Sequence, residues 1–270
     1  MLNITDAEFD RISKITYAKT GVNLRPTKKP LILSRLRGRL EELKLVNFTQ
    51  YIALLEKPHS EELEIFINAV TTNETYCFRH TGQFNYLYEH ILPGFMQQGR
   101  KKITIWSGAS STGEEPYSIA ITLMEFAKKN PGFTFELVAS DINTEVLAEA
   151  KEGIYDPRSL KEMPQSLIDR YFTKITKPKR GDQYAINQEV KSKVNFFQHN
   201  LMTPSDRRNV DVIFLRNVLI YFDRETKEKV VNLLEPALAK NSFFFISYSE
   251  NLNDIKTSLE LIGHGIFFKK

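Results

Sequence analysis

The chain contains a single cysteine and no long apolar run, and both absences restrict the classes of protein to which it can belong. Cys77 alone cannot form an internal disulfide, which favours a reducing compartment. No stretch reaches the roughly 20 apolar residues of a membrane-spanning helix, and the first residues show no basic region followed by an apolar segment. We therefore expect a cytoplasmic protein that does not itself span the membrane.

A strong charge of one sign is also missing. Lys and Arg number 37 against 33 Asp and Glu, a net charge of +4, and there is no basic tail or aromatic-interleaved basic run. We therefore expect no nucleic acid as partner. Cys77 and the five histidines do not show the spacing of metal ligands, so no metal is expected either.

The first seventy residues carry helical patterns only. Thr5 followed by Glu8 predicts a capping box at a helix start, and Gly21 is suited to end that helix. Three further helices are predicted, over about 28–44, 47–58 and 63–70. The predicted core stripe of the second helix is Leu33, Leu36, Leu40 and Leu43. We interpret residues 1–72 as a small all-α domain, followed at 73–101 by a linker helix and the start of a cofactor site.

From residue 102 to residue 270 the pattern changes to strands that alternate with helices. The predicted strands are 103–106, 135–139, 194–197, 210–215, 243–246 and 265–268. Helices are predicted from about Glu115 to Lys129 and from near Thr144. This alternation implies a mostly parallel sheet covered on both faces. The segment from about 156 to 193 interrupts the alternation with three prolines and a basic Lys-Pro-Lys-Arg turn, and it predicts an inserted helix and hairpin.

The strongest chemical signal is the turn of small residues after the first strand, from Trp106 to Ser118. At Gly108 a ligand can approach the backbone, and the following helix N-terminus attracts an anion. The turn has neither the Gly-x-Gly-x-x-Gly spacing of dinucleotide sites nor the Gly-Lys-Ser/Thr of a P-loop. After the next strand, Asp141 can accept both hydroxyls of a ribose, although it equally suits a helix N-cap. A ribose site without a pyrophosphate grip indicates an adenosine cofactor without phosphates, most commonly S-adenosylmethionine.

Four segments carry a resemblance to a known family: 71–79, 111–120, 139–147 and 212–223. Together they resemble the chemotaxis receptor methyltransferases, the CheR family, and the resemblance spans essentially the whole chain. It implies a Rossmann-like α/β sheet of the S-adenosylmethionine-dependent methyltransferases, with an inserted β-hairpin subdomain and a preceding all-α domain. It also implies methylation of glutamate side chains on the cytoplasmic domain of methyl-accepting chemotaxis receptors, with S-adenosylhomocysteine as product.

The resemblance further implies site residues. The positions that match cofactor contacts of the family are Asn73, Thr75, Arg79, Glu115, Asp141, Asn200, Leu201, Arg216 and Asn217. Tyr221 matches a tyrosine near the reactive methyl group. A glutamate with an ordinary pKa of about 4.3 is ionised at neutral pH, so its methylation needs no general base. Our hypothesis is that Arg79 and Tyr221 position the incoming carboxylate.

Two surfaces are candidates for contact with a receptor. Lys28, Arg35 and Arg39 are read as a docking surface for acidic receptor helices, or otherwise as a solvated face. The inserted hairpin is a possible site for a receptor C-terminal peptide, bound by strand addition.

The chain departs from the family pattern at Ser247 and Tyr248, where the family commonly has Gly-His. This difference supports one alternative, a catalytically weak or silent scaffold that binds receptors or signalling proteins. A second alternative is a methyltransferase that acts on another protein or on nucleic acid, with the basic second helix as its contact surface.

Overall fold

Four helices form the N-terminal part of the molecule. The structure, a computed structural model, describes residues 2–177 and 181–270. The helices are α1 (Asp6–Thr20), α2 (Lys29–Glu42), α3 (Phe48–Leu55) and α4 (Glu62–Val70). They enclose a core of their own, in which Ile12, Leu36 and Phe66 are fully buried. Each helix is short, so its stability depends on this shared core.

Local capping sets where these helices begin and end, as the sequence predicts. The Thr5 hydroxyl accepts a hydrogen bond from the Glu8 amide at 3.2 Å, and the Glu8 carboxylate accepts one from the Thr5 amide at 2.9 Å. The Asn47 side chain accepts from the Gln50 amide at 3.0 Å and caps α3. Gly21 ends α1 with a φ of +76°, a left-handed conformation that favours glycine. The predicted capping box and both caps are confirmed.

The predicted core stripe of α2 is confirmed at Leu36 and Leu40, whereas its two end residues are only partly buried. Ile32, Leu36 and Leu40 are completely buried, whereas Leu33 and Leu43 lie half-buried at the edge of the core. The helix begins at Lys29, because a 3₁₀ turn over Pro26–Lys28 precedes it, and it ends at Glu42. The fully buried residues therefore follow the spacing i, i+4 and i+8 and not the predicted i, i+3, i+7 and i+10. The packing of the neighbouring helices determines which face is buried, and the sequence pattern alone does not define it.

A seven-stranded sheet forms the C-terminal part. Its strands are β1 (Lys102–Gly108), β2 (Thr134–Asp141), β6 (Val194–Gln198), β7 (Val210–Phe214), β8 (Leu238–Phe245), β9 (Glu260–Gly263) and β10 (Ile266–Lys269). Their order is β6-β2-β1-β7-β8-β10-β9. The first five in this order are parallel, and β10 and β9 are antiparallel to their neighbours. The predicted mostly parallel sheet is confirmed.

Helices cover both faces of this sheet. On one face, α7 (Glu114–Lys129) contributes Tyr117 and Leu123 to a core that lies against the sheet, and the Tyr117 ring contacts that of Phe196 in β6. On the other face, α11 (Arg224–Leu234) contributes Val230 and Leu234 to a second core around Trp106. Helix α11 and the edge strand β9 were not predicted from the sequence, although Asp223 caps α11 by accepting from the Thr226 amide at 2.8 Å.

The region inserted between β2 and β6 forms a separate small sheet. After α8 (Thr144–Glu152) come β3 (Ile154–Tyr155), α9 (Gln165–Tyr171), β4 (Phe172–Lys177), β5 (Gly181–Ile186) and α10 (Gln188–Lys191). The hairpin of β4 and β5 is confirmed, but β3 pairs with β5 and makes the sheet three-stranded. The prolyl and basic residues of the predicted turn at 178–180 lie outside the described residues.

The segment that links the two parts is helical but not one regular helix. It comprises α5 (Thr81–Tyr86), a π-helical turn (Leu87–Ile91) and α6 (Leu92–Gln97), where one linker helix was predicted. Within residues 2–177 and 181–270, no helix combines the length and the apolar character needed to cross a bilayer.

Candidate active site

A cleft of about 1000 Å³, counted with its open mouth, lies between the helical part and the carboxyl ends of the central strands. Parallel sheets of this kind bind ligands at that edge. The predicted site residues that line it are Asn73, Thr75, Arg79, Glu115, Asp141, Asn200, Leu201, Arg216, Asn217 and Tyr221. Five distant segments of the chain are therefore brought to one cavity.

Gly108 and the predicted docking residues do not line this cleft. Gly108 ends β1 beneath it, where a Cβ atom would lie 3.2 Å from the Cδ1 atom of Leu215. The glycine thus leaves room for a core leucine. Gly113, the N-cap of α7, has a φ of +95° and is more restricted, because a Cβ atom there would lie 2.9 Å from that of Ala150.

Asp141 is the buried acid at the end of β2. One of its carboxylate oxygens accepts from the Ser111 amide at 2.8 Å and the other from the Asn143 amide at 2.9 Å. Burial raises the pKa of Asp141, and these amide bonds oppose the rise. A carboxylate offers about four lone-pair sites, so two backbone bonds leave acceptor capacity for ribose hydroxyls. The predicted alternative role as N-cap is wrong, because Asn143 caps α8.

A buried ion pair lies deeper in the cleft. The Nη1 atom of Arg216 is 3.3 Å from a carboxylate oxygen of Glu115, whose other oxygen accepts from the Ser107 hydroxyl at 2.8 Å. Arg216 also donates to the carbonyl of Arg79. Burial raises the pKa of Glu115, and the charge of Arg216 opposes the rise. Within the described part of the chain, Nε and Nη1 of Arg216 and the Ser110 hydroxyl have no hydrogen-bond acceptor or donor, which suits a polar ligand.

Asn200, Asn217 and Tyr221 form the opposite wall. The Asn200 amide donates to the carbonyl of Lys19 at 2.7 Å, so the end of α1 contacts this wall. Asn217 has a φ of +59°, and its backbone N–H donates to Glu250 at 3.1 Å. Burial raises the pKa of Tyr221, and the negative charge of Glu74 raises it further. The phenol is therefore protonated at neutral pH and can donate a hydrogen bond.

Several residues that sequence reasoning missed complete the cleft. Thr20 and Val22, from the end of α1 and the following loop, line it, as do Tyr76 and Phe84. Glu250 supports the site from outside, since its carboxylate also accepts from the Ser247 amide at 2.7 Å. The role of Glu250 could have been predicted, because the spacing of Ser247 and Glu250 resembles a capping motif. No local pattern indicates that α1 reaches the cleft.

The three predicted docking residues have different environments. Lys28 is exposed in the 3₁₀ turn. Arg35 donates to the carbonyls of Val70 and Thr71, each at 2.8 Å. Arg39 forms an ion pair with Glu62 at 2.6 Å. Both guanidinium groups therefore bind within the helical part, and a docking role for the surface stays a prediction.

Ser247 and Tyr248 do not line the cleft. Ser247 is fully buried, and the half-exposed Tyr248 stacks on His80 outside the cavity. The departure that motivated the silent-scaffold alternative therefore removes no side chain from the cleft. Among the described residues, no cluster of three histidine, cysteine or carboxylate side chains is arranged to hold a metal ion.

Comparisons with known proteins agree with this geometry. A model of the CheR methyltransferase all-alpha domain matches residues 7–71, and one of the CheR methyltransferase SAM binding domain matches residues 73–267. The chain belongs to the CheR methyltransferase family. Chemotaxis protein methyltransferases of Klebsiella aerogenes and Escherichia coli are 39% and 37% identical to it, over 98% of this chain and 90% and 92% of theirs. One from Borreliella burgdorferi is 37% identical over 97% of this chain and 93% of its own.

Membership of the CheR family makes the chain a methyltransferase of chemotaxis with S-adenosylmethionine as cofactor. The predicted family and cofactor are confirmed. The cleft fits this cofactor. Asp141 has acceptor capacity for a ribose, and the Nε donor of Arg216, which has no hydrogen-bond acceptor among the described residues, suits a carboxylate such as that of the methionine moiety. Which of the lining residues bind it stays a prediction.

Proposed function

We propose that this enzyme methylates glutamate side chains on the cytoplasmic domain of methyl-accepting chemotaxis receptors. S-adenosylmethionine supplies a methyl group on a sulfonium, and transfer to a glutamate oxygen gives a methyl ester and S-adenosylhomocysteine. The observation that carries the proposal is the pair of donors at the cleft wall, Arg79 and Tyr221, beside the residues suited to the cofactor. A cation and a protonated phenol match an ionised carboxylate.

Arg79 is suited to bind the acceptor. Its Nη1 atom donates to the carbonyl of Glu74 at 2.9 Å, and this bond fixes the side chain at the cleft. A guanidinium has five N–H donors in a planar fork, so the remaining donors can engage a carboxylate. Tyr221 can add a hydrogen bond from its phenol. Since glutamate is already ionised at neutral pH, these residues need to orient the acceptor and exclude water rather than remove a proton.

The experiment measures transfer of a labelled methyl group from S-adenosylmethionine to membranes rich in chemotaxis receptors. Alkali should release the label, because methyl esters hydrolyse readily whereas methylated amines and bases do not. Label that resists alkali, or that appears on other proteins or nucleic acid, would refute the proposal.

Arg79→Ala tests the assigned role. We expect kcat/KM for the receptor to fall about 10- to 100-fold, the cost of a hydrogen bond to a charged group. Affinity for S-adenosylhomocysteine, measured by calorimetry, should change little, because the backbone carbonyl that binds Arg216 remains. Arg208→Ala is the matched control, since Arg208 is exposed and bonds only to nearby carbonyls in the described structure. Loss of cofactor affinity with normal turnover would reject the role.

We further propose that the three-stranded sheet binds a receptor peptide by strand addition. In the described residues β4 pairs only with β5, so its other edge offers backbone donors and acceptors. Calorimetry with peptides from receptor C-termini tests this; no heat of binding for any of them would exclude the tether.

A further inference from the structure

Arg79 lies in an unusual stretch of backbone. Phe78 and His80, the residues on either side of it, have φ values of +56° and +62°. For residues other than glycine, this left-handed conformation costs on the order of 1 kcal/mol or more and persists only where surrounding contacts hold it. Contacts that hold this stretch therefore also fix where the Arg79 side chain points.

The loop after β8 and the turn between β9 and β10 supply several of these contacts. The ring of Tyr248 stacks on that of His80, with centroids 4.7 Å apart and an interplanar angle of 25°. Gly82 makes room for it, because a Cβ atom there would lie 2.9 Å from the Tyr248 hydroxyl. The Gln83 amide adds a second connection and donates to the carbonyls of Ile246 at 2.8 Å and His264 at 2.9 Å.

The same stretch contacts the floor of the cleft through its backbone. The Arg79 carbonyl accepts from the buried Arg216, which is paired with Glu115. A shift of residues 78–80 would thus displace both the Arg79 side chain and an acceptor of Arg216. Burial lowers the pKa of His80, with further lowering by Arg216 and Arg79, so the stacked ring is neutral at pH 7.

We propose that Tyr248 is a positioning residue for methyl transfer: by stacking on His80 it holds Arg79 in the orientation that receives the acceptor carboxylate. This inference rests on the proposed function, since it assumes a carboxylate acceptor. Tyr248 itself lies outside the cleft and is 49% exposed, so its effect passes through His80. The hydroxyl is not needed for stacking; the aromatic ring is.

Three variants separate this role from a general loss of structure. Tyr248→Ala should lower kcat/KM for receptor-rich membranes about tenfold, the kinetic equivalent of one lost aromatic pair. Tyr248→Phe should restore it. Tyr86→Ala is the control, because Tyr86 also pairs with a histidine, His90, at 4.8 Å between ring centroids in a tilted arrangement of 52°, and does not line the cleft. Affinity for S-adenosylhomocysteine should stay within about twofold in Tyr248→Phe and Tyr86→Ala, and it should fall less than kcat/KM in Tyr248→Ala, since the stack reaches Arg216 only through the Arg79 carbonyl.

Hydrogen exchange measured by mass spectrometry gives a readout that does not depend on the acceptor. Amides of residues 78–83 should exchange faster in Tyr248→Ala than in wild type, and at the wild-type rate in Tyr248→Phe and Tyr86→Ala. Unchanged exchange and unchanged kcat/KM in Tyr248→Ala would overturn the inference, as would equal losses in Tyr248→Phe. If wild type gives no alkali-labile label while exchange responds as expected, the proposed acceptor fails but the positioning contact stands.

Discussion

Two cations lie near the ring of Tyr76, which lines the cleft. The Nζ atom of Lys161 is 4.2 Å from the centroid of its ring, and the guanidinium carbon of Arg79 is 5.6 Å from the same centroid. Lys161 belongs to the inserted region. This region is held near Tyr76 by a hydrogen bond from the Cys77 amide to the Ser159 carbonyl, at 2.8 Å. Lys161 is exposed and forms no ion pair within the described residues, so its charge is available to an acidic partner.

Lys161→Gln should therefore raise KM for receptor-rich membranes about two- to fivefold, the size of one exposed ion pair with the partner, and leave kcat unchanged. The dependence of KM on salt should become shallower, because one steering charge is lost. Steady-state kinetics at several salt concentrations measure both effects. Lys240→Gln, the same change at the opposite end of the sheet, is the control; identical salt dependence in the two variants would contradict the expectation.

At the scale of elements, helix α7 begins with a buried acid. The Glu114 carboxylate accepts from the hydroxyls of Thr112 at 2.6 Å and Ser159 at 3.2 Å, and only 3% of the residue is exposed. Burial raises the pKa of Glu114 above its ordinary value of 4.5, and the hydroxyl bonds oppose the rise. The folded protein therefore holds this proton more tightly than the unfolded chain does.

It follows that Glu114 lowers stability as pH rises from about 4.5 through its raised pKa. Glu114→Gln, which stays neutral, should gain in free energy of unfolding relative to wild type over this range, most at neutral pH. Urea unfolding at pH 4, 5.5 and 7 tests the difference. Glu145→Gln, an exposed acid in the first turn of α8, should show no such trend. If the free energy of unfolding changed with pH in the same way for Glu114→Gln and wild type, burial would not raise the pKa of Glu114.

How far the sequence predicts elements depends on the range of the interactions that form them. The caps at Thr5 and Asn47, the parallel strands and the cleft-lining segments follow from local patterns and from the family resemblance. The partners of Arg35 do not, because the carbonyls that it binds lie 35 and 36 residues away. For the same reason β3 was missed: a two-residue strand is defined by its partner β5 and not by its own pattern.

At the scale of the whole molecule, the helical part closes one side of the cleft through a few contacts around Gly21. The Asn23 backbone amide donates to the Tyr221 carbonyl at 3.0 Å, and the Thr226 hydroxyl donates to the Tyr17 hydroxyl at 3.0 Å. A second connection lies beside Asp141, where the Asn143 side chain donates to the hydroxyl of Thr71 at 2.8 Å. The cofactor cleft therefore depends on how the two parts meet.

Gly21→Ala tests this dependence. A Cβ atom there would lie 2.6 Å from the Met202 sulfur and 2.7 Å from a methyl carbon of Thr226, at a φ of +76°. We expect the free energy of unfolding to fall by about 1–2 kcal/mol and the Kd for S-adenosylmethionine to rise. Gly38→Ala, with no atom within 4 Å of the new Cβ in the interior of α2, should instead stabilise by about 0.5–1 kcal/mol and leave the Kd unchanged. Unaltered Kd in a folded Gly21→Ala variant would argue against coupling between the two parts.

The burial of the lone thiol has a practical consequence. Cys77 is the only cysteine in the sequence, it is 1% exposed, and burial raises its pKa well above the ordinary value. A thiolate is the form that reacts with maleimides, so the native protein presents almost no background to such dyes. A cysteine introduced on either side of the cleft can therefore carry a fluorophore at one defined position, and Cys77 need not be replaced first. With one such cysteine on each side, a donor–acceptor pair of dyes can measure the distance between the helical part and the sheet.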